Sequence, residues 1–156
     1  MQIDEFKKAV GKFPTGVCVI STFSNNRLWG FTANSFVSVS LSPPLISFCL
    51  DQNSESFNAF SCAEYFSVNI LGHDQENISK HFSYKSENKF LTIDYLPNYY
   101  METPLIIGAA SFLGCKKNQQ IECGDHFIFV GDVQKTQIDN AKDPLVYFAK
   151  SYRAIK

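Results

Sequence analysis

The side chains of this sequence that could do chemistry are short hydroxyls and a histidine. Between Arg27 and Asp51 the chain has no charged residue, and over 37–42 apolar residues alternate with serines. A period of two predicts a strand with one face on a core and the other lined by hydroxyls, which suits a flat ligand with polar edges. The alternation also fits an ordinary serine-rich edge strand. The expected core face is Val37, Val39 and Leu41, and the expected polar face is Ser38, Ser40 and Ser42.

The histidines do not have the spacing of a metal site. His73, His81 and His126 are far apart in sequence, and none is paired locally with a cysteine. We therefore expect no metal, although a site assembled only by the fold stays open. His126 follows a Gly-Asp turn and opens an apolar strand, where a histidine is more commonly structural than catalytic. The absence of a G-x-S-x-G sequence disfavours hydrolysis by a serine nucleophile.

Motifs that hold phosphate groups are also absent. No G-x-G-x-x-G follows a predicted strand and no Walker sequence occurs, so a Rossmann or P-loop site is disfavoured. A nucleotide would have to bind on a β scaffold, through hydroxyls, backbone N–H groups and scattered lysines. A predicted helix start at 54–56 is one place that could accept an anion. Simple N-capping explains Ser54 equally well.

The elements that must position these groups are mostly strands. Strands of five to eight residues, separated by turns and accompanied by a few short helices, predict a mainly β fold, a barrel or a sandwich. A polar, Tyr- and Asn-rich stretch at 83–103 is expected to be a long loop, and 115–123 an exposed hairpin end. Helices are expected at 3–10, 55–60 and 74–82, and strands at 17–23, 28 onward, 45–50, 65–71, 105–113, 127–133 and 144–148.

Length and composition set the broad class. The 156 residues predict a single domain, 1–156, and a net charge of −1 argues against nucleic acid or anionic lipid as a partner. Five cysteines without C-x-x-C spacing, together with a charged N-terminus, predict a protein of the reducing cytoplasm. The uncharged stretch 28–50 contains five serines and a Pro-Pro pair, so it is not expected to cross a membrane.

Four sequence blocks resemble the flavin reductase-like family, the short-chain NAD(P)H:flavin oxidoreductases that supply reduced flavin to two-component monooxygenases. The blocks are FPTGVCVIST (13–22), GFTANSFVSVSLSPPL (30–45), GDHFIFVGDV (124–133) and PLVYFAKSYR (144–153), and they occur in the family's order. The resemblance implies an FMN-binding split β-barrel with a few short helices. It also implies a homodimer with its sites near the subunit interface.

The same resemblance implies a flavin site, FMN or FAD, at the matching positions. The isoalloxazine and ribityl chain would lie along Thr32, Ala33, Asn34 and Ser35, with Ser38 and Ser40 of the serine face beside them. The flavin tail would be bordered by Cys49, Leu50 and Asp51, and its phosphate would lie near Ser54 and Ser56. The cofactor would be covered by Phe82 and Ser83.

On the nicotinamide side, the resemblance implies that His126 approaches NADH or NADPH and that Tyr152 and Arg153 help to hold it. Hydride would pass directly from nicotinamide C4 to flavin N5, so His126 is expected to position the nicotinamide first and to donate a proton only second. Lys89 is a candidate phosphate contact, although a solvated lysine is the alternative. A flavin-binding electron carrier or sensor, and a flavin-dependent ferric reductase, are the competing functions. FMN or FAD, NADH or NADPH, and any partner monooxygenase stay open.

Overall fold

The computed structural model describes residues 1–155, and the predicted mainly β class is confirmed. One helix precedes the strands and two others connect them. The helices are α1 (Ile3–Val10), α2 (Phe57–Cys62), α3 (Glu76–Ser83) and a 3₁₀ helix (Lys89–Thr92). The strands are β1 (Thr15–Gly16), β2 (Cys18–Ser24), β3 (Arg27–Ala33), β4 (Val37–Leu41), β5 (Pro44–Asp51), β6 (Tyr65–Ile70), β7 (Tyr95–Tyr100), β8 (Thr103–Ile106), β9 (Ser111–Cys123), β10 (His126–Ile138), β11 (Val146–Phe148) and β12 (Ser151–Arg153).

An antiparallel sheet of seven strands, in the order β3-β2-β6-β9-β10-β5-β4, forms the body of the protein. It does not close into a barrel, and its arrangement is split-barrel-like. Alternation along β5 shows how sequence sets its two faces: Ile46, Phe48 and Leu50 are buried, whereas the residues between them are half-buried. Phe48 stacks on Phe129 of β10 with ring centroids 5.2 Å apart, at the centre of an aromatic core.

A second apolar cluster lies between the sheet and α3. Phe82, near the end of α3, packs against Phe90 of the 3₁₀ helix with ring centroids 5.0 Å apart. Gly30 of β3 makes this approach possible, because a Cβ there would stand 2.9 Å from the Phe82 ring. The packing fixes both ends of the segment 84–88, which borders the site described below. Within residues 1–155, no helix is long and apolar enough to cross a membrane.

The prediction that the apolar residues of β4 face the core is wrong. Val37, Val39 and Leu41 are 54 %, 52 % and 92 % exposed. The strand lies at the edge of the sheet and pairs only with β5, and the register shifts between Ser38 and Ser40. Alternation predicted the strand correctly, but no part of the described chain covers its apolar face.

Four other expectations are corrected. The strand expected at 105–113 is interrupted, because β8 ends at Ile106 and β9 begins at Ser111. The helix expected at 55–60 begins later, at Phe57, because the preceding residues form a turn. The expected loop 83–103 contains the 3₁₀ helix and β7, whose hairpin with β8 turns through the positive φ angles of Met101 and Glu102. The expected hairpin end 115–123 is the second half of β9. It pairs with β10, and the turn itself lies at Gly124, with φ +67°.

Candidate functional site

A cavity of about 520 Å³ lies over β3 and β5, between the turn that follows β5 and the segment that follows α3. Residues 84–88, here called the strap, connect α3 to the 3₁₀ helix and form one side of its mouth. The cavity brings together most of the residues that the sequence predicted for a flavin site. Its lining is Phe31, Thr32, Ala33, Asn34, Ser35, Cys49, Leu50, Asp51, Asn53, Ser54, Glu55, Phe82, Ser83, Tyr84, Lys85, Lys89 and His126.

The wall between β3 and β5 is held by side-chain hydrogen bonds to the backbone. The Ser35 hydroxyl accepts the Cys49 N–H at 2.9 Å and lies 3.3 Å from the Cys49 carbonyl oxygen, to which it donates. The Thr32 hydroxyl donates to the Ser79 carbonyl at 2.6 Å and so fixes β3 to α3. Burial raises the pKa of the Cys49 thiol, although the hydrogen bond with Ser35 opposes the rise. Cys49 therefore contributes a neutral thiol to the wall.

His126 is the first residue of β10 and lies opposite Asp51 of β5 in the sheet. Its Nδ1 is 2.7 Å from Oδ1 of Asp125. Because a carboxylate only accepts hydrogen bonds, Nδ1 carries the proton and Nε2 is the nitrogen left for another partner. The hydrogen bond with His126, and then its charge, hold the pKa of Asp125 below its usual range.

The turn after β5 presents one hydroxyl to the cavity. The Asp51 carboxylate accepts the Asn53 N–H at 2.8 Å, and the Asp51 carbonyl accepts the Ser54 N–H at 3.0 Å. The Ser54 hydroxyl oxygen accepts the Ser56 N–H at 3.4 Å and lies 3.1 Å from the Ser56 hydroxyl, and either of these two hydroxyls can be the donor. Ser56 is 1 % exposed and lies behind Ser54, outside the cavity lining. The amides of Asn53, Ser54 and Ser56 donate within the turn, and the expected contact of Ser54 and Ser56 with a phosphate stays a prediction.

Lys89 is neither solvated nor free for a phosphate. Its side chain is 7 % exposed, and its ammonium lies 2.8 Å from Oε1 of Glu55. It also donates to the carbonyls of Gly30 and Phe82, each at 3.3 Å. Glu55 additionally accepts the Ser86 N–H at 3.3 Å. The strap is thus tied to the turn after β5 through Glu55, and the expected phosphate contact at Lys89 is replaced by a structural one.

The remaining predicted residues lie outside the cavity. Ser38 and Ser40 are on the edge strand β4, and their proposed contact with flavin stays a prediction. The Tyr152 hydroxyl is 2.8 Å from the Ser79 hydroxyl, on the side of α3 that supports Thr32. Arg153 is exposed on β12. The roles of Tyr152 and Arg153 toward nicotinamide also stay predictions.

Five lining residues were missed by sequence reasoning. The period of two places Phe31 on the same face of β3 as Ala33, so that signal was present. Asn53 and Glu55 lie within the turn whose flanking residues were predicted. Tyr84 and Lys85 carried no pattern that points to a site, because they reach the cavity only through the tertiary contacts of the strap.

No group of three or more His, Cys, Asp and Glu side chains in residues 1–155 is arranged to hold a metal ion. The fold and the cavity define a split-barrel-like protein with an open site on its sheet, bordered by a histidine–carboxylate pair. Comparison with known proteins then identifies it. Residues 10–156 match the family model described as a flavin reductase like domain, and the chain belongs to that family.

Relatives of nearly the same length carry flavin reductase names. A flavin reductase of Pseudomonas putida is 32 % identical over 148 residues, which are 94 % of this chain and 86 % of that protein. The reductase subunit of a flavin-dependent monooxygenase of Mycobacterium tuberculosis is 33 % identical over 159 residues, 99 % and 84 % of the two chains. The predicted class of enzyme, an NAD(P)H:flavin oxidoreductase, is confirmed at the level of the family.

The fold agrees with that of a solved relative. An NADH:FAD oxidoreductase of Streptomyces globisporus, in complex with NAD and FAD fragments, superimposes with a TM-score of 0.94. It is 33 % identical in sequence, and the match covers 98 % of this chain and 92 % of that one. The predicted split-barrel fold is therefore confirmed.

Proposed function

We propose that this chain reduces FMN or FAD with NADH or NADPH by direct hydride transfer. The observation that carries the proposal is the convergence of the predicted flavin residues on one cavity beside the Asp125–His126 pair. The names of the relatives, which include an NADH:FAD oxidoreductase, support it. No acid–base pair is required, since the reaction depends chiefly on the alignment of two cofactor rings.

The residues of the cavity fit a flavin. Its volume, about 520 Å³, is within the range of pockets that enclose a ligand of this size. Phe31, Ala33, Leu50 and Phe82 supply apolar surface for a flat ring, and hydroxyls and amides supply donors for polar ring edges. These residues would hold the flavin, which would supply the acceptor for the hydride of the reduced nicotinamide.

The chain's own residues would bind and orient the reactants. The Ser35–Cys49 hydrogen bonds tie the segment that follows β3 to β5, so these two sides of the cavity are held together. His126 lines the cavity, and because Nδ1 is bonded to Asp125, Nε2 is the nitrogen that would be left to meet the nicotinamide. Its first task is to position that ring, and donation of a proton is a secondary one.

Reduced flavin would be supplied to a partner monooxygenase, since a relative is named as the reductase subunit of such an enzyme. We also propose a homodimer, because the apolar face of β4 is left uncovered within one chain. Location in a reducing cytoplasm is supported by all five cysteines being free thiols.

The test is anaerobic oxidation of NADH and of NADPH, followed by the nicotinamide absorbance, with FMN, with FAD and without flavin. Turnover that rises with added flavin supports the reductase and ranks both substrates in one experiment. Flavin binding without turnover of either nicotinamide would instead favour an electron carrier or sensor. A ferric complex added to the active mixture tests whether reduced flavin also serves as a ferric reductant.

A further inference from the structure

We propose that a second cavity, beside the flavin site, holds the adenosine phosphate half of the pyridine dinucleotide that reduces the flavin. The inference rests on the proposed function and deepens it, because it assigns a site to the part of the reductant that does not react. The cavity has a volume of about 370 Å³ and lies between the C-terminal end of α1, β1 and the turn that joins β11 to β12. The lining residues that matter here are Lys7, Phe13, Thr15, Asn34, Tyr147 and Lys150.

The charge of this second cavity is positive. Its charged side chains are Lys7 and Lys150, with no carboxylate beside them, so its formal charge is +2. Among residues 1–155, neither ammonium has an ion-pair partner. The flavin cavity, in contrast, is lined by two lysines and two carboxylates. An anion is therefore favoured in the second cavity, and the phosphates of a dinucleotide are anions that the proposed reaction brings to this side of the protein.

The second cavity adjoins the flavin site at Asn34, which lines both cavities. A dinucleotide whose nicotinamide lies in the flavin cavity can therefore pass Asn34 and extend its other half into the second one. The hairpin of β11 and β12 leads to the same place. Its strand β12 carries Tyr152 and Arg153, which the sequence predicted to hold the nucleotide, and its turn carries Lys150. The turn, and not β12, is the part of this hairpin that provides a cation to the cavity.

Backbone contacts bring the two lysines together from opposite ends of the chain. The Ala149 N–H donates to the Gly11 carbonyl at 3.2 Å, which ties the β11–β12 turn to the end of α1. The Gly11 N–H in turn donates to the Lys7 carbonyl at 3.1 Å. Since Lys150 directly follows Ala149, both cations are attached to backbone that is already fixed. A ligand that binds them therefore loses little free energy to the ordering of the protein.

The uncharged part of the lining fits a nucleoside. Phe13 is 75 % exposed, and Tyr147 packs against Tyr152 with ring centroids 5.3 Å apart, so aromatic surface is present for an adenine. Thr15 pairs with Tyr147 between β1 and β11, and its Oγ1 is buried without a hydrogen-bond partner in residues 1–155. A buried hydroxyl without a partner costs free energy, and in a cavity wall it marks a place where a ligand can supply that partner.

The experiment measures KM and kcat of the full chain for NADH, for NADPH and for reduced nicotinamide mononucleotide, each at saturating flavin. For the double variant Lys7→Gln, Lys150→Gln we expect the KM of a dinucleotide to rise about tenfold, with kcat changed less than about twofold, because binding is lost equally in the ground state and the transition state. The mononucleotide lacks the adenosine half, and its KM should change less than about twofold. Lys8→Gln removes the same charge from α1 outside the cavity lining and should leave all three KM values unchanged.

The two dinucleotides distinguish the phosphates. A rise in KM for NADH and NADPH alike would assign the lysines to the pyrophosphate, and a rise for NADPH alone would assign them to its 2′-phosphate; both results support the proposal. An equal rise for the mononucleotide would overturn it, because the lysines would then act on the nicotinamide half or on the fold. Unchanged KM values for both dinucleotides would overturn it as well.

A calorimetric titration with adenosine 2′,5′-bisphosphate separates a failure of this proposal from a failure of the proposed function. A parent protein that oxidises none of the three reductants would overturn the proposed function. In that case, binding of the bisphosphate to the parent and its loss in the double variant would still support the second cavity as a site for adenosine phosphates. Absence of binding to the parent would overturn that assignment too.

Discussion

Asp125 and His126 are adjacent in sequence and joined through their side chains, with 2.7 Å between Asp125 Oδ1 and His126 Nδ1. The pair lies where the Gly124 turn becomes β10, so the backbone of the sheet fixes one residue and the turn fixes the other. The carboxylate holds the proton on Nδ1 and sets the plane of the ring. A site that needs only the alignment of two cofactors gains from such a fixed imidazole.

Substitution of His126 by alanine is expected to impair the reaction with the nicotinamide while leaving flavin binding largely unchanged. We predict a fall of about tenfold or more in kcat/KM for NADH or NADPH, with the Kd for flavin largely kept, since His126 borders the edge of the cavity. Steady-state rates at saturating flavin and a flavin titration measure the two effects. Equal activity in the variant and the parent would remove His126 from the site.

Asp125 is a positioning residue, and its effect should depend on His126. We expect Asp125→Ala to lower kcat/KM for the nicotinamide about fivefold without changing flavin affinity, and Asp125→Asn, whose amide oxygen still accepts from Nδ1, to recover part of the loss. In the His126→Ala background the Asp125 substitutions should have no further effect. Additive losses in the double variant would contradict action through His126.

Most of the strands and helices could be predicted from the sequence, but what packs against each of them could not. The nearly continuous apolar run of β5 and the helical spacing of α1 are local patterns, and both elements occur where expected. The alternation of β4 is equally local, yet Val39 is exposed, because alternation identifies an apolar face and not what covers it. The β7–β8 hairpin was missed since its turn depends on positive φ angles at residues other than glycine.

The same distinction applies to the site. Residues 32–35 and His126 lie in sequence blocks that resemble a family, and they reach the cavity as expected. The part played by Lys89 is decided by Glu55 and by two carbonyls from other segments, which no local pattern reveals. Lys85 lies at the cavity because those contacts hold the strap. The arrangement of charged side chains around this part of the cavity is therefore a tertiary property.

Asn34 directly follows β3 and is an exposed residue of the cavity lining, and its amide can both donate to and accept from a ligand edge. We predict that Asn34→Ala weakens flavin binding by about three- to tenfold, the effect of one or two lost hydrogen bonds. FMN and riboflavin should be affected alike, because the expected contact is with the part of the molecule that both flavins share. An unchanged dissociation constant, measured by flavin fluorescence, would contradict the placement of Asn34 beside the ring.

The uncovered apolar face of the edge strand β4 predicts that this strand is part of the contact between the subunits of a dimer. Val39→Lys places a charge on that face, and we expect it to convert a dimer into a monomer in analytical ultracentrifugation. Met101→Lys is a matched control, because Met101 is 53 % exposed, as Val39 is at 52 %, but lies on the β7–β8 turn. A dimer that survives Val39→Lys would show that another surface joins the subunits.

The Glu55–Lys89 pair should make stability depend on pH. Burial alone would raise the pKa of Glu55, but hydrogen bonds from Lys89 and the Ser86 amide, with the charges of Lys89 and Lys85, hold it below its usual value. Folding therefore favours the ionised carboxylate, so the pair stabilises the protein above the ordinary Glu pKa, about 4, and this contribution is lost as pH falls through the lowered value.

Lys89→Met is expected to remove that dependence together with the anchor of the strap. At pH 7 we predict a loss of about 2–3 kcal/mol in unfolding free energy, below the cost of breaking a fully buried pair because the Glu55 side chain is 28 % exposed. Urea unfolding from pH 7 to pH 3 should show the difference between parent and variant shrinking as Glu55 takes up a proton. The exposed Lys116–Glu64 pair provides the control, since Lys116→Met should leave the midpoint unchanged. A difference that stays constant down to pH 3 would mean that the two carbonyl contacts of Lys89, and not its charge pairing, hold the strap.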